Sequence, residues 1–302
     1  MKKPKALKTG DAIGIVAPAG KMDPFALEKG LERIRRLGFE VLMGKHLADS
    51  FRYFSATDRQ RAEDLQWMFG QDVRAILCAR GGYGSVRLIP HLEMKQLKGS
   101  DKIFIGCSDV TTLLLHLANF EIPVFHGPMV SHFSRTQNPL SDHFFFRMLT
   151  SRDPIGKFSH PAMKSLKEGA GEGALTGGCL SMLCGSIGTP YEIDTEGKIL
   201  FIEEVNEPPY RIDRMLTHLK MAGKFQKVKG ILFGTFLNCD PPSDSGYTLI
   251  EVVLSCLEDV ACPALWGVPF GHGDENITLP LGLTVELNGD DGTITFLESP
   301  VG

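Results

Sequence analysis

Through the first half of the chain, short apolar runs alternate with stretches of helical spacing, and this alternation constrains the fold more than any other feature. Ala12–Pro18 (AIGIVAP), Glu40–Met43, Val73–Ala79 (VRAILCA) and Ile103–Ile105 read as strands, and Val124 opens another. Between them, Pro24–Leu37 spaces Phe25, Leu27, Leu31, Ile34 and Leu37 as a helix does. Thr57–Phe69 sets Leu65 and Met68 on one face behind Thr57 or Asp58 as N-cap, and Val110–Asn119 is a third helical stretch. Strands joined through helices must run parallel, with helices covering both faces of the sheet. Ligands of such sheets sit at the carboxyl ends of the strands. Two turns lie at such ends: Arg80-Gly81-Gly82-Tyr83-Gly84 and Gly106-Cys107-Ser108-Asp109.

Beyond residue 150 the pattern changes. Residues 151–172 hold Lys, Gly, Ser and Pro with little periodicity and read as a linker. After it come strands (Lys198–Glu203, Lys229–Phe236), helices (Tyr210–Met221, Thr248–Leu257) and an alternating stretch from Leu283 to Leu297. That stretch is centred on Asn288-Gly289-Asp290-Asp291-Gly292, the signature of a hairpin. The organisation read from this is an N-terminal parallel-sheet α/β domain over 1–150, the linker, and a smaller, β-rich α+β domain over 173–302.

The 302 residues, 43% hydrophobic and 23% charged, suit a folded globular protein, and a net charge of −4 offers no field for nucleic acid or anionic membrane. The basic start lacks the apolar core of a signal peptide, and no run reaches the ~18 apolar residues of a membrane helix, so a cytoplasmic protein is expected. The seven cysteines are scattered, with no C-x-x-C pair, and the histidines show no H-x-x-x-H spacing. The expectation is reduced, buried thiols, no metal and no cofactor.

Four segments hold the chemistry. Ser108 sits where a strand turns into a helix, the place of an activated serine or simply of an N-cap, and the two readings weigh equally on this segment alone. Val110 stands where a G-x-S-x-G turn has a small residue, and Cys107 lies one place too early to be the nucleophile. The glycine-rich loop could bring a backbone N–H of Gly81 or Gly82 beside the serine, although a plain tight turn explains it too. Glu203, Glu204 and Glu207 follow an apolar strand; a buried carboxylate there could orient a histidine, while a solvated helix start is the simpler account. His272, between Gly271 and Gly273, is the histidine that looks most like a site residue, because no neighbouring bulk obstructs a substrate. His126, after a short strand, could form a wall of the site.

Taken together, these segments resemble the LD-carboxypeptidase family of serine peptidases, the murein tetrapeptide carboxypeptidases, over nearly the whole chain. The likeness rests on GDAIGIVAPAG, YFSATDRQRAEDLQWMF, RGGYGSVRLIP, IGCSDVTTLLL, FHGPM, GGCLSMLCGSIGTPYE, IEEVNEPPYRIDRML and GVPFGHGDENITLPLG, in this order. The resemblance implies a triad of Ser108, Glu203 and His272, with Glu204 the neighbouring acid that could take the place of Glu203. It implies oxyanion donors at the N–H groups of Asp109 and Gly81, and a site formed with both domains in a homodimer. The implied reaction is hydrolysis of the bond from meso-diaminopimelate to D-alanine in a murein tetrapeptide or related muropeptide during cell-wall recycling. Arg80, Arg211 and Arg214 are candidates to hold the substrate carboxylate. Cys179 stands where the family often has Asn. A microcin-immunity hydrolase that cleaves a peptide–nucleotide is the alternative within the same fold, and a non-catalytic binder of peptide or nucleotide is the alternative outside enzymes.

Overall fold

The computed structural model describes residues 3–135 and 137–302. The chain forms two compact units. The first runs to Arg152 and takes back Ile277–Leu281 and Ser299–Gly302; the second comprises Asp153–Asn276 and Gly282–Glu298.

The first unit is built on a six-stranded sheet in the order Glu40–Met43, Ala12–Val16, Ala75–Cys78, Ile103–Gly106, Val124–His126, Leu279–Pro280. The first five strands are parallel, and Leu279–Pro280 pairs antiparallel with Val124–His126. Every residue of Ala75–Cys78 and Ile103–Gly106 is buried, which is why both read as unbroken apolar runs. The strand order reverses between Ala12–Val16 and Ala75–Cys78, and a crevice opens at the carboxyl ends on either side of such a reversal. Gly20 and Gly81, which follow these two strands, meet there through Gly20 N–H donating to Gly81 O at 3.0 Å.

Side-chain caps fix the starts of two helices on this sheet. Asp23 caps Pro24–Arg36 through Ala26 N–H at 2.9 Å, and Thr57 with Gln60 forms a reciprocal capping box on Asp58–Phe69. The Pro24–Arg36 helix buries Leu27, Leu31 and Ile34. Phe25 fits the same spacing but is 80% exposed, because it lies in the first turn, ahead of the buried stripe.

The second unit carries an eight-stranded mixed sheet in the order Gly156–Phe158, Thr293–Phe296, Thr284–Asn288, Ala170–Cys179, Ile199–Val205, Gly230–Leu237, Ala264–Trp266, Lys164–Lys167. Its middle, from Ala170–Cys179 to Ala264–Trp266, is parallel. The hairpin expected around Asn288–Gly292 is present as Thr284–Asn288 paired with Thr293–Phe296, with Gly292 at φ +65°. Residues 151–172 do not form a linker: Gly156–Phe158 and Lys164–Lys167 are edge strands at opposite sides of the sheet, and Ala170 already begins a central one. Edge strands are paired on one side and wet on the other, so Lys164-Ser165-Leu166-Lys167 needs no apolar alternation.

Candidate active site

On the first unit, the strand Ile103–Gly106 passes through extended Cys107 (φ −155°, ψ −173°) into Ser108 at φ +61°. A serine in the left-handed region costs on the order of 1–3 kcal/mol, so the surrounding turn must hold it there. Such a strained strand-to-helix turn is how α/β hydrolases raise a nucleophile off the sheet. The bulk of Val110 is accommodated from the other side. A Cβ on Gly106 would lie 2.8 Å from Val110 Cγ1, so the small residue this turn needs is Gly106.

The glycine-rich loop lies against this turn. A Cβ on Gly81 would come within 2.9 Å of Ser108 Cβ, 3.0 Å of its Oγ and 3.5 Å of Asp109 N. Only glycine allows the backbone this close to both the hydroxyl and the following N–H. Gly82 and Gly84 adopt φ +109° and +116°. Arg80 is exposed, and its Nη1 donates to Lys21 O at 3.0 Å. Asp109 is buried, with its carboxylate turned back to Gly84 and Ser85. His126 is fully buried in its strand and forms no exposed wall. Cys107 is buried as well.

On the second unit, Glu203 and Glu204 lie just before the last residue of the strand Ile199–Val205 and, being adjacent in a strand, point to opposite faces. Glu203 Oε2 is 2.6 Å from His272 Nδ1. Glu204 goes elsewhere: its Oε2 accepts from Ser181 N–H at 2.7 Å and its Oε1 from Val205 N–H at 2.8 Å. The Cys179 thiol lies 3.5 Å from Glu204 Oε1. Burial pushes the Glu204 carboxyl above the ordinary glutamate range, and the nearby Glu203 charge adds to this. Burial likewise pushes the Cys179 thiol up, seconded by Glu203 and Glu204.

Glu203 is wholly buried, and its Oε1 has no hydrogen-bond partner among the described residues. A buried carboxylate at Nδ1 keeps the imidazole proton on that nitrogen and leaves Nε2 as the basic atom. The His272 loop is closed by Gly271 N–H donating to the buried Asn276 Oδ1 at 3.0 Å. Gly271 adopts φ +110°, and a Cβ on it would strike Glu203. The glycine before His272 thus serves the approach of Glu203. Asn276 and the Asp109 carboxylate escape a reading of the sequence, since their roles depend on partners brought in by folding. Among the described residues, no group of three or more His, Cys, Asp or Glu could hold a metal ion.

Residues 13–127 match the family model for the LD-carboxypeptidase N-terminal domain, and residues 172–287 match that for the LD-carboxypeptidase C-terminal domain. The chain belongs to the LD-carboxypeptidase family. It is 38% identical over 298 residues to a probable murein peptide carboxypeptidase of Bacillus subtilis, covering 96% of this chain and 93% of that one. Among solved structures, a muramoyltetrapeptide carboxypeptidase from Oxalobacter formigenes is similar at 30% identity and a TM-score of 0.86, over 94% of this chain and 97% of that one. MccF, a microcin C7 self immunity protein solved in complex with glutamyl sulfamoyl guanosine, is similar at 26% identity and a TM-score of 0.91, over 99% of both chains. Both units therefore have the α/β architecture of LD-carboxypeptidases, the first with a mainly parallel sheet.

Proposed function

We propose that this chain is a serine-type LD-carboxypeptidase that releases the terminal D-alanine of murein tetrapeptide by hydrolysing its bond to meso-diaminopimelate. The observation that carries the reading is Ser108 at φ +61° with Gly81 packed against its hydroxyl. A helix cap needs neither the strained backbone nor the close glycine. Membership of the family and the likeness to murein peptide carboxypeptidases support the substrate class.

In this reading Ser108 Oγ attacks the carbonyl carbon of the scissile amide and passes its proton to His272 Nε2. Glu203 holds the opposite edge of the ring and offsets the charge of the imidazolium. The developing oxyanion accepts from the N–H groups of Asp109 and Gly81, with Gly82 continuing the loop; such a donor contributes about 3–4 kcal/mol in comparable sites. His272 then protonates the leaving amine of D-alanine, and water cleaves the acyl-enzyme by the same route. Arg80 is assigned to the free carboxylate that distinguishes a carboxypeptidase substrate. Arg211 is engaged with Glu207 at 3.2 Å. The reading also expects a cytoplasmic homodimer acting in murein recycling.

The likeness to MccF bound to glutamyl sulfamoyl guanosine favours one second reading, hydrolysis of a peptide–nucleotide conjugate. Mass spectrometry of purified protein with L-Ala-D-Glu-meso-diaminopimelate-D-Ala decides between them. Loss of one D-alanine with the parent protein and none with Ser108→Ala is the expected result. An intact tetrapeptide alongside a cleaved aminoacyl sulfamoyl nucleoside would transfer the protein to the second reading.

A further inference from the structure

A backbone N–H stabilises an oxyanion only if it lies about 2.7–3.1 Å from where the charge develops. The loop that supplies one of the two proposed donors holds Gly81, Gly82 and Gly84, residues with the widest backbone freedom of all. Something must hold it in place. The structure shows what does.

The Asp109 carboxylate accepts from Gly84 N–H through Oδ1 at 3.1 Å and from Ser85 N–H through Oδ2 at 2.8 Å. The Ser85 hydroxyl returns a hydrogen bond to Asp109 O at 2.6 Å. On the far side of the same peptide, Arg61 Nη1 donates to Gly84 O at 3.0 Å. Arg61 is itself fixed by Ala56 O at 3.1 Å, by Pro18 O and by Asp58. Asp109, Ser85 and Arg61 are 3%, 0% and 2% exposed, so these bonds form away from water, where charged partners make them strong. One residue thus supplies a proposed oxyanion donor with its N–H and grips the loop bearing the other with its carboxylate. Gly81 itself is tied at its carbonyl by Gly20 N–H at 3.0 Å, and Asp109 fastens the other end of the loop, Gly84 and Ser85, to the turn that carries the second donor.

We infer that the Asp109 side chain, braced by Ser85 and Arg61, is a positioning residue that keeps the two-donor oxyanion site preformed. The inference rests on Ser108 being the nucleophile. If Asp109 merely stabilised the turn, its loss would lower stability and leave the chemistry of folded molecules unchanged.

The test follows phosphonylation of Ser108 by a fluorophosphonate, which needs the nucleophile and the oxyanion donors but no natural substrate, together with turnover of murein tetrapeptide. Asp109→Asn keeps the shape, but its amide can accept only one of the two N–H groups and turns a donor on the other. The expected result is labelling slowed by about ten- to a hundredfold, with kcat reduced by the same factor and KM within twofold. Ser85→Ala, which removes only the return bond, should slow labelling severalfold, and Ser85→Thr should restore it. Wild-type labelling rates in folded Asp109→Asn, or in Ser85→Ala should Asp109→Asn not fold, overturn the inference and leave the function standing. Failure of the wild-type protein to be labelled at Ser108 overturns both.

Discussion

A Cβ on Gly271 would lie 2.6 Å from Glu203 Oε2, the oxygen that accepts from His272 Nδ1. The absence of that one carbon lets a buried carboxylate reach the histidine that follows it. Gly271→Ala therefore meets two obstacles, a φ of +110° and the Glu203 side chain. We predict a loss of about 2–4 kcal/mol in stability. Turnover should fall by at least a hundredfold in molecules that remain folded. Denaturant unfolding and tetrapeptide hydrolysis on the same samples check it; an active Gly271→Ala protein would show that the Glu203–His272 contact is dispensable.

The two adjacent glutamates should separate cleanly. Glu203→Gln keeps the fold and loses the charge behind His272, so kcat should drop by about 10²–10⁴. Glu204→Gln places an amide against Ser181 N–H and Val205 N–H, both donors, and should cost about 1–3 kcal/mol of stability with turnover per folded molecule kept within severalfold. The raised Glu204 carboxyl also has a pH signature. Above the ordinary glutamate value of about 4.3 the unfolded chain releases its proton while the folded one retains it, so stability falls as pH rises up to the folded value and is level beyond. Urea unfolding from pH 4 to 8 should show this segment of slope in the wild type and lack it in Glu204→Gln.

The adjacent acids also show where reading a sequence ends. Two identical residues side by side in a strand differ only in the face they take, and only the completed sheet decides which one meets His272. The strands Ala75–Cys78 and Ile103–Gly106 were legible because burial on both faces leaves a continuous apolar run. The Asn288–Gly292 turn and a helix start at Thr57 or Asp58 were legible because their signals are local, and the structure makes Thr57 the cap. Lys164–Lys167 was not, since an edge strand pairs on one side only, here with Ala264–Trp266. Nor was the return of Ile277–Leu281 to the first unit, a pairing with Val124–His126 across some 150 residues of chain. Ser108 could equally have been a cap, because a left-handed serine leaves no mark in composition.

That left-handed conformation yields its own prediction. Ser108→Ala and Ser108→Gly should both abolish hydrolysis, but only glycine relieves the backbone at φ +61°. Ser108→Gly should be more stable than Ser108→Ala by about 1 kcal/mol, reversing the order expected in an ordinary helix or strand. Paired thermal unfolding scans measure it, and equal Tm values would mean that the turn is not strained.

The thiols should be chemically quiet. Burial pushes Cys184 to about 12 and Cys239 and Cys262 to about 11, so at pH 8 the thiolate of Cys184 is on the order of one part in 10⁴. Disulfide reagents should modify native protein at least a hundredfold more slowly than unfolded protein. Cys107→Ala should keep turnover within severalfold, since the residue is buried and its extended backbone carries the chain into Ser108. Loss of activity in Cys107→Ala with Ser108 still labelled would assign the thiol a part in the reaction.

The last prediction concerns the second unit. Past the Leu249–Cys256 helix the chain turns, with Val260 N–H donating to Leu257 O at 3.1 Å, and the strand Lys164–Lys167 adds a cation to the carbonyls of this turn. Lys167 Nζ donates to Leu257 O at 2.8 Å, and also to Val260 O. A half-buried ammonium at the negative end of a helix is stabilised by the hydrogen bonds to these carbonyls and by the helix dipole, with the Asp259 carboxylate near enough to add attraction. Lys167→Met keeps the apolar stem and removes the donor, so it should destabilise the protein by about 2 kcal/mol. The effect should persist at high salt, because buried interactions are screened far less than exposed ones. Turnover at 25 °C should stay at the wild-type level. A Lys167→Met protein as stable as the parent would show that water satisfies these carbonyls equally well.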